Sequence, residues 1–194
     1  MNHTALVVVD MQRGLVKQHP EEEAVVIGNI AELLELCRSH SVPVLYIAHH
    51  EDTGDLRIGT PDWEIIEALH PLENEPRFDK TVCSAFSCDA FAEKLVELGI
   101  RELVIVGMRT EFCVDATVKS ALARGYAVTI PESCTTSYGN VYLTGAQLCK
   151  FYEQIVWKGN GARVIPLWAM RQRFSNRPAL VRESDDGKLE EDGI

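Results

Sequence analysis

Apolar and polar positions along this chain follow two alternating rhythms. Short runs at residues 5–9, 42–48, 103–106, 126–130 and 162–165 are almost wholly apolar, the pattern of strands buried on both faces. Pro43 falls in the first residues of its run, where a strand tolerates proline. Between the runs, apolar residues recur at helical spacing. Val25, Ile30, Leu33, Leu34 and Cys37 mark the inner stripe of a helix starting near residue 21. Phe91, Leu95 and Leu98 mark a second over 88–98, stopped by Gly99. Val114, Val118, Ala121 and Leu122 mark a third, stopped by Gly125. Residues 143–157 read as a fourth helix, and 77–81 as a short strand carrying Lys80. Strands alternating with helices predict an α/β fold: a mostly parallel central sheet with helices on both faces, a three-layer α/β/α sandwich.

The rhythm lapses in three places. Residues 10–14 begin a loop, and 132–140 form a turn-rich one. Residues 49–76 are polar and punctuated by Gly54, Gly59, Pro61, Pro71 and Pro76, which predicts a long functional loop with a short helix near 62–69. Beyond Trp168 the chain reads as a tail anchored by Phe174 and Leu180. The expected organisation is one domain over residues 1–170 and a tail over 171–194.

Composition narrows the function. A length of 194 residues suits one domain with a real core. The net charge of −10 argues against nucleic acid, whose phosphates need a basic face. Residues 183–194 hold six acidic residues against one lysine, a solvated end. The amino terminus has no basic leader and no cleavage pattern, and no run is long enough to span a bilayer, so a cytoplasmic protein with no membrane partner is expected. Six cysteines without a C-x-x-C pair then read as free thiols.

Candidate chemistry gathers at strand ends. Asp10 closes the first run, and Cys113 lies about five residues beyond the 103–106 run, where the next helix begins. Unpaired N–H groups and the helix dipole favour a thiolate at such a place. In an open parallel sheet ligands bind beyond the carboxyl ends of the strands, and the loop holding Lys80 reaches the same region. Alone, Asp10 is an ordinary strand-end residue, Lys80 a surface lysine and Cys113 a core thiol. Together they make a nucleophile, a base and a positive charge.

The segments LVVVDMQ (6–12), GTPDWEI (59–65), DKTVCSAF (79–86) and GMRTEFCVDATVKSA (107–121) resemble the isochorismatase-like cysteine hydrolase superfamily over residues 5–130. The resemblance implies a homo-oligomeric α/β sandwich with a catalytic Asp10–Lys80–Cys113 triad. It also implies a cis peptide between Met108 and Arg109, and an oxyanion hole from the backbone N–H groups of Arg109 and Cys113. Residues 132–136, ESCTT, stand where many relatives carry an Asp-Ala-x-Ser/Thr motif. His49, His50, Glu51, Asp52 and Asp62 offer metal-ligand types without the Asp-x-His step of the metal-dependent nicotinamidases, so neither metal nor other cofactor is expected.

For the pocket walls the residue types suggest Trp63, Phe86, Met108 and Tyr138, with Arg109 facing either a substrate carboxylate or a neighbouring subunit. Trp63 and Phe86 serve equally as core or subunit contacts. Cys37, Cys134 and Cys149 read as core or pocket lining, and Cys83 or Cys88 as a weaker redox partner for Cys113. The expected activity is metal-independent hydrolysis of a small amide or ureido C–N bond through a covalent Cys113 intermediate. Two rivals stand beside it: an isochorismatase-type vinyl ether hydrolase, and a non-catalytic ligand-binding or redox-sensing protein.

Overall fold

Every ladder of the central sheet is parallel, as runs buried on both faces require. The computed structural model describes residues 3–175. Within them lie strands β1 (Thr4–Val9), β2 (Val44–His49), β3 (Arg77–Lys80), β4 (Glu102–Met108), β5 (Ala127–Pro131), β6 (Thr135–Thr136) and β7 (Arg163–Ile165). They are ordered β3-β2-β1-β4-β5-β7, with β6 continuing beside β4. The chain moves outward from β1 through β2 to β3, then returns to β4 and moves the other way. The reversal falls between β1 and β4.

One face of the sheet, with Leu6, Val8 and Val106, packs on α2 (Glu23–Ser39) and α6 (Leu167–Ser175). The other, with Val7, Val9 and Ile105, packs on α3 (Asp89–Glu97), α4 (Asp115–Ala123) and Trp157. The three-layer α/β/α expectation holds. No helix among the described residues is long and apolar enough to cross a membrane.

Several local expectations are corrected. Val25 is 55% exposed, and Val26 takes its place. The residues buried on α2 are Val26, Ile30, Leu33, Leu34 and Cys37, a stripe of period 3.6 from which Val25 is one position out of phase. The loop after β1 contains a short helix, α1 (Arg13–Val16), and the helix expected near 62–69 shrinks to a 3₁₀ turn at Glu67–Leu69. A capping box of Thr144 and Gln147 starts the fourth predicted helix as α5 (Gly145–Phe151), which continues as a π-helical segment, Tyr152–Trp157.

The sequence tail is also revised. α6 carries packed structure across residue 170 to Ser175, with Phe174 fully buried, because Met170 and Phe174 meet the face of α2. Leu180, the other expected anchor, lies outside the described residues.

Candidate active site

Asp10 directly follows β1, and strict alternation from Val9 would send its side chain toward α2. A left-handed backbone at Asp10 (φ 52°), which aspartate tolerates, turns the carboxylate to the opposite face. There Lys80 Nζ, from the end of β3, donates to Asp10 Oδ2 at 2.8 Å. Neither side chain is accessible beyond 1%. Asp10 Oδ1 is buried with no hydrogen-bond partner.

Gly107 makes room for this arrangement. The apolar run read from the sequence stops at residue 106, yet β4 continues through Gly107 to Met108. The Gly107 φ is +119°, and a Cβ there would sit 2.1 Å from the Val9 carbonyl oxygen. Only glycine lets β1 and β4 approach so closely.

Beyond β4 the Met108–Arg109 peptide is cis. Residues Thr110–Val114 then form a π-helical turn, with the Val114 N–H donating to the Arg109 carbonyl at 3.2 Å. That turn brings Cys113 Sγ to 3.3 Å from Lys80 Nζ. One ammonium thus bridges a carboxylate and a thiol contributed by three separate segments.

Electrostatics revise the expected thiolate. Burial pushes the Cys113 thiol well above its ordinary pKa, the Asp10 carboxylate pushes the same way, and Lys80 only partly opposes them. In the resting site these influences favour the neutral thiol over the thiolate. Burial disfavours the Lys80 ammonium, but Asp10 and Cys113 outweigh that and hold its pKa above normal.

The expected pocket residues divide. Arg109 and Tyr138 do stand together: the guanidinium lies 4.8 Å from the Tyr138 ring centroid and 4.6 Å from that of Phe112. Glu111 Oε1 accepts from Arg109 Nη2 at 2.8 Å, and Ser137 holds the other Glu111 oxygen. The Arg109 charge is thus met within its own turn. Trp63, by contrast, is 6% exposed, donates from Nε1 to Asp79 Oδ1 at 3.0 Å and carries the Arg77 guanidinium 3.4 Å over its ring. Its contacts brace β3 just before Lys80. Phe86 packs edge-on against Phe91, beside Tyr126 and under Arg124, and Met108 is fully buried against the α2 side. Phe86 and Met108 are core residues, the alternative that bulky apolar side chains always carry.

All six cysteines are free, so no disulfide joins Cys113 to Cys83 or Cys88; Cys37, Cys134 and Cys149 are buried. Among the described residues no three His, Cys, Asp or Glu side chains gather as a metal site. Asp55 and Asp62 instead pair with Lys17.

Gln12 and Glu111 escaped the sequence reading. Gln12 is buried, and its amide reaches the His49 N–H at 2.9 Å, the His49 carbonyl at 2.8 Å and the Trp63 carbonyl at 2.9 Å. It ties the long loop to the end of β2. The only sequence signal is a polar residue two places after a strand-end acid.

Known proteins resemble the chain in sequence and in fold. The family model described as the Isochorismatase domain matches residues 4–146. The uncharacterized isochorismatase family protein YddQ of Bacillus subtilis (strain 168) is 33% identical over 144 residues, covering 69% of this chain and 78% of its own. Nicotinamidase 3 of Arabidopsis thaliana is 26% identical over 149 residues, covering 69% and 73% respectively. A crystal structure of an isochorismatase family protein superposes with a TM-score of 0.78 at 27% identity, covering 85% of this chain and 99% of that one. The matched region contains the ends of β1, β3 and β4 and the turn that carries the thiol, and with it the chain belongs to the isochorismatase family.

Proposed function

We propose that this hydrolase cleaves a small amide or ureido-type C–N bond through a covalent intermediate on Cys113, without a metal. The observation that carries the proposal is the buried Lys80 ammonium bridging Asp10 and Cys113. A thiol held above its ordinary pKa by burial needs a base at the moment of attack, and Asp10 is the acid beside it. The likeness to a nicotinamidase supports an amide as the bond class.

In the first half-reaction Asp10 takes the thiol proton as Sγ bonds to the carbonyl carbon. The carbonyl oxygen becomes an oxyanion facing the backbone N–H groups of Arg109 and Cys113. Donors fixed in advance at such a point are commonly worth about 3 kcal/mol each. The C–N bond then breaks while Asp10 returns the proton to the leaving nitrogen, and ammonia or an amine departs from a thioester. In the second half-reaction Asp10 takes a proton from water as the water oxygen attacks. The C–S bond breaks, the acid leaves, and the proton returns to sulfur. Lys80 holds Asp10 in place and offsets the negative charge that passes between carboxylate and sulfur. Arg109 and Tyr138 form a flat wall whose cation Glu111 already neutralises.

Ammonia release from a panel of primary amides and ureido acids identifies a working substrate. Cys113→Ala then lowers turnover by about 10⁴-fold or more while the thermal unfolding midpoint stays near that of the parent. Intact-mass analysis after acid quenching shows the acyl adduct on the parent protein only. Undiminished turnover in Cys113→Ala overturns the proposal, and turnover without any adduct moves the reading to the non-covalent vinyl ether class.

A further inference from the structure

Buried polar atoms without a partner are few in a folded domain, and each one asks for an explanation. Two of them stand on neighbouring strands at the carboxyl end of this sheet: Asp10 Oδ1 and His49 Nδ1. The proton transfers described above occupy the first. They give the second nothing to do.

His49 is the last residue of β2, in register with Lys80 on β3. Because β2 lies between β3 and β1, the Lys80 side chain crosses beside His49 on its way to Asp10. Alternation along β2 puts His49 on the face of Leu45 and Ile47, the face that also packs against the Cys113 turn. The backbone at His49 is clamped from both sides by Gln12, so the imidazole is held on a fixed stem. The turn that carries the oxyanion donors follows β4, on the other side of Asp10. A carbonyl whose oxygen points to that turn has its other two substituents away from it, and the one that takes a proton from Asp10 in the proposed reaction is the nitrogen, on the β2 side.

Burial first, and then the charge of Lys80, lower the His49 pKa, so the ring is neutral at pH 7 and one nitrogen is free to accept. A neutral acceptor suits the two species that visit this side of the reaction. The first is the leaving nitrogen with its N–H, and the second is the water that takes its place with an O–H.

We infer that His49 is a catalytic residue of this site, accepting a hydrogen bond at Nδ1 from the leaving nitrogen and afterwards from the hydrolytic water. This rests on the covalent reading given above. His49 takes no proton: Asp10 remains the base in both steps, and the imidazole orients the attacking oxygen. Its contribution is greatest where water must be placed, in hydrolysis of the thioester.

p-Nitrophenyl acetate separates the two halves. Its leaving group departs as p-nitrophenolate and the thiol proton passes from Asp10 to solvent, so a rapid burst reports acetylation of Cys113 and the steady phase reports hydrolysis of the acetyl thioester. Cys113→Ala supplies the background from the other thiols. His49→Leu keeps the burst rate and amplitude within about twofold of the parent and slows the steady phase at least about tenfold, within the span usual for a positioned polar group. His49→Gln, whose amide oxygen still accepts, recovers part of the loss. His49→Phe, closer in shape, replaces the leucine variant if that one lacks a cooperative melting transition. A steady phase unchanged in His49→Leu, or a burst lost to the same degree, overturns the role of His49 and leaves the covalent reading standing. Absence in the parent of any burst that Cys113→Ala removes overturns both.

Discussion

Opposite ends of this sheet bury an acidic side chain, and the two acids live very differently. At the amino end, Glu102 begins β4 and is 8% exposed. It accepts from Thr4 Oγ1 at 3.2 Å, Thr129 Oγ1 at 2.8 Å, Arg163 Nη2 at 2.6 Å and Arg173 Nη1 at 2.7 Å, with a further bond from Arg173 Nη2. At the carboxyl end, Asp10 has a single lysine on one oxygen and nothing on the other. Satisfied on every side, the first carboxylate locks β4, β5, β7 and α6 together and has no capacity left for chemistry. The second keeps a lone pair free beside a thiol. A buried polar group becomes structural or reactive according to how much of its hydrogen-bonding capacity the fold consumes.

The largest effect should come from breaking the reactive end. Lys80→Met leaves Asp10 as an unpaired charge in a closed site, which typically costs about 3–5 kcal/mol of stability. On the proposed mechanism amide turnover should fall by about 10³-fold or more in the same variant, since Asp10 would lose its orientation and the attacking sulfur its counter-charge. Urea unfolding and ammonia release measure the two losses. A Lys80→Met protein as stable as the parent would mean that the two acids differ less than their partners suggest.

The structural end should fail in a different way. Burial alone would raise the Glu102 pKa, but the hydrogen bonds from Arg173 and Thr129 and the charges of Arg173 and Arg163 hold it at about 2, against an ordinary value of 4.5. A depressed carboxyl contributes stability that is fully present above the unfolded value near 4.5 and drains away as pH falls toward about 2. Glu102→Gln should therefore cost about 2 kcal/mol near neutral pH, the shift being discounted for the solvent that reaches its arginines. The gap to the parent should close on acidification from pH 4.5 to 2, read from unfolding midpoints at each pH. Amide turnover should stay within about twofold, since Glu102 begins the strand whose far end leads to the reacting turn. A large loss of turnover with an intact fold would erase the division between the two ends.

How much of this contrast was legible in the sequence depends on where the partners come from. Asp10 and Cys113 stood out because a strand end and a helix start are visible in apolar periodicity, and the motif around Lys80 tied that residue to them. The upward push on the Cys113 pKa was not legible: a helix start favours a thiolate, while burial and then the approach of Asp10 push the other way. Glu102 gave no signal, because Thr4, Arg163 and Arg173 lie far from it in the chain and gather only when β7 and α6 dock. The same docking explains why α6 passed for a tail, since its apolar residues are too sparse to announce a buried face. Trp63 and Phe86 stayed undecided for a related reason: an aromatic side chain fits a pocket wall and a core equally well until its neighbours are known.

The smallest effect tests whether the structural end is redundant. Thr129 is fully buried on β5 and supplies one of the bonds to Glu102. Thr129→Val keeps the shape and the branched β-carbon that a strand favours, and removes only the hydroxyl. A hydrogen bond to a charged group is worth about 1.5–3 kcal/mol, but Glu102 Oε1 keeps two arginine donors, so no acceptor is left bare. The extra methyl is buried where the hydroxyl was, which returns part of the loss. A net cost of about 1 kcal/mol is expected in urea unfolding, with turnover unchanged. A cost above about 3 kcal/mol would mean that Glu102 depends on that one hydroxyl as Asp10 depends on Lys80. In that case the number of partners would not be what separates a structural acid from a reactive one.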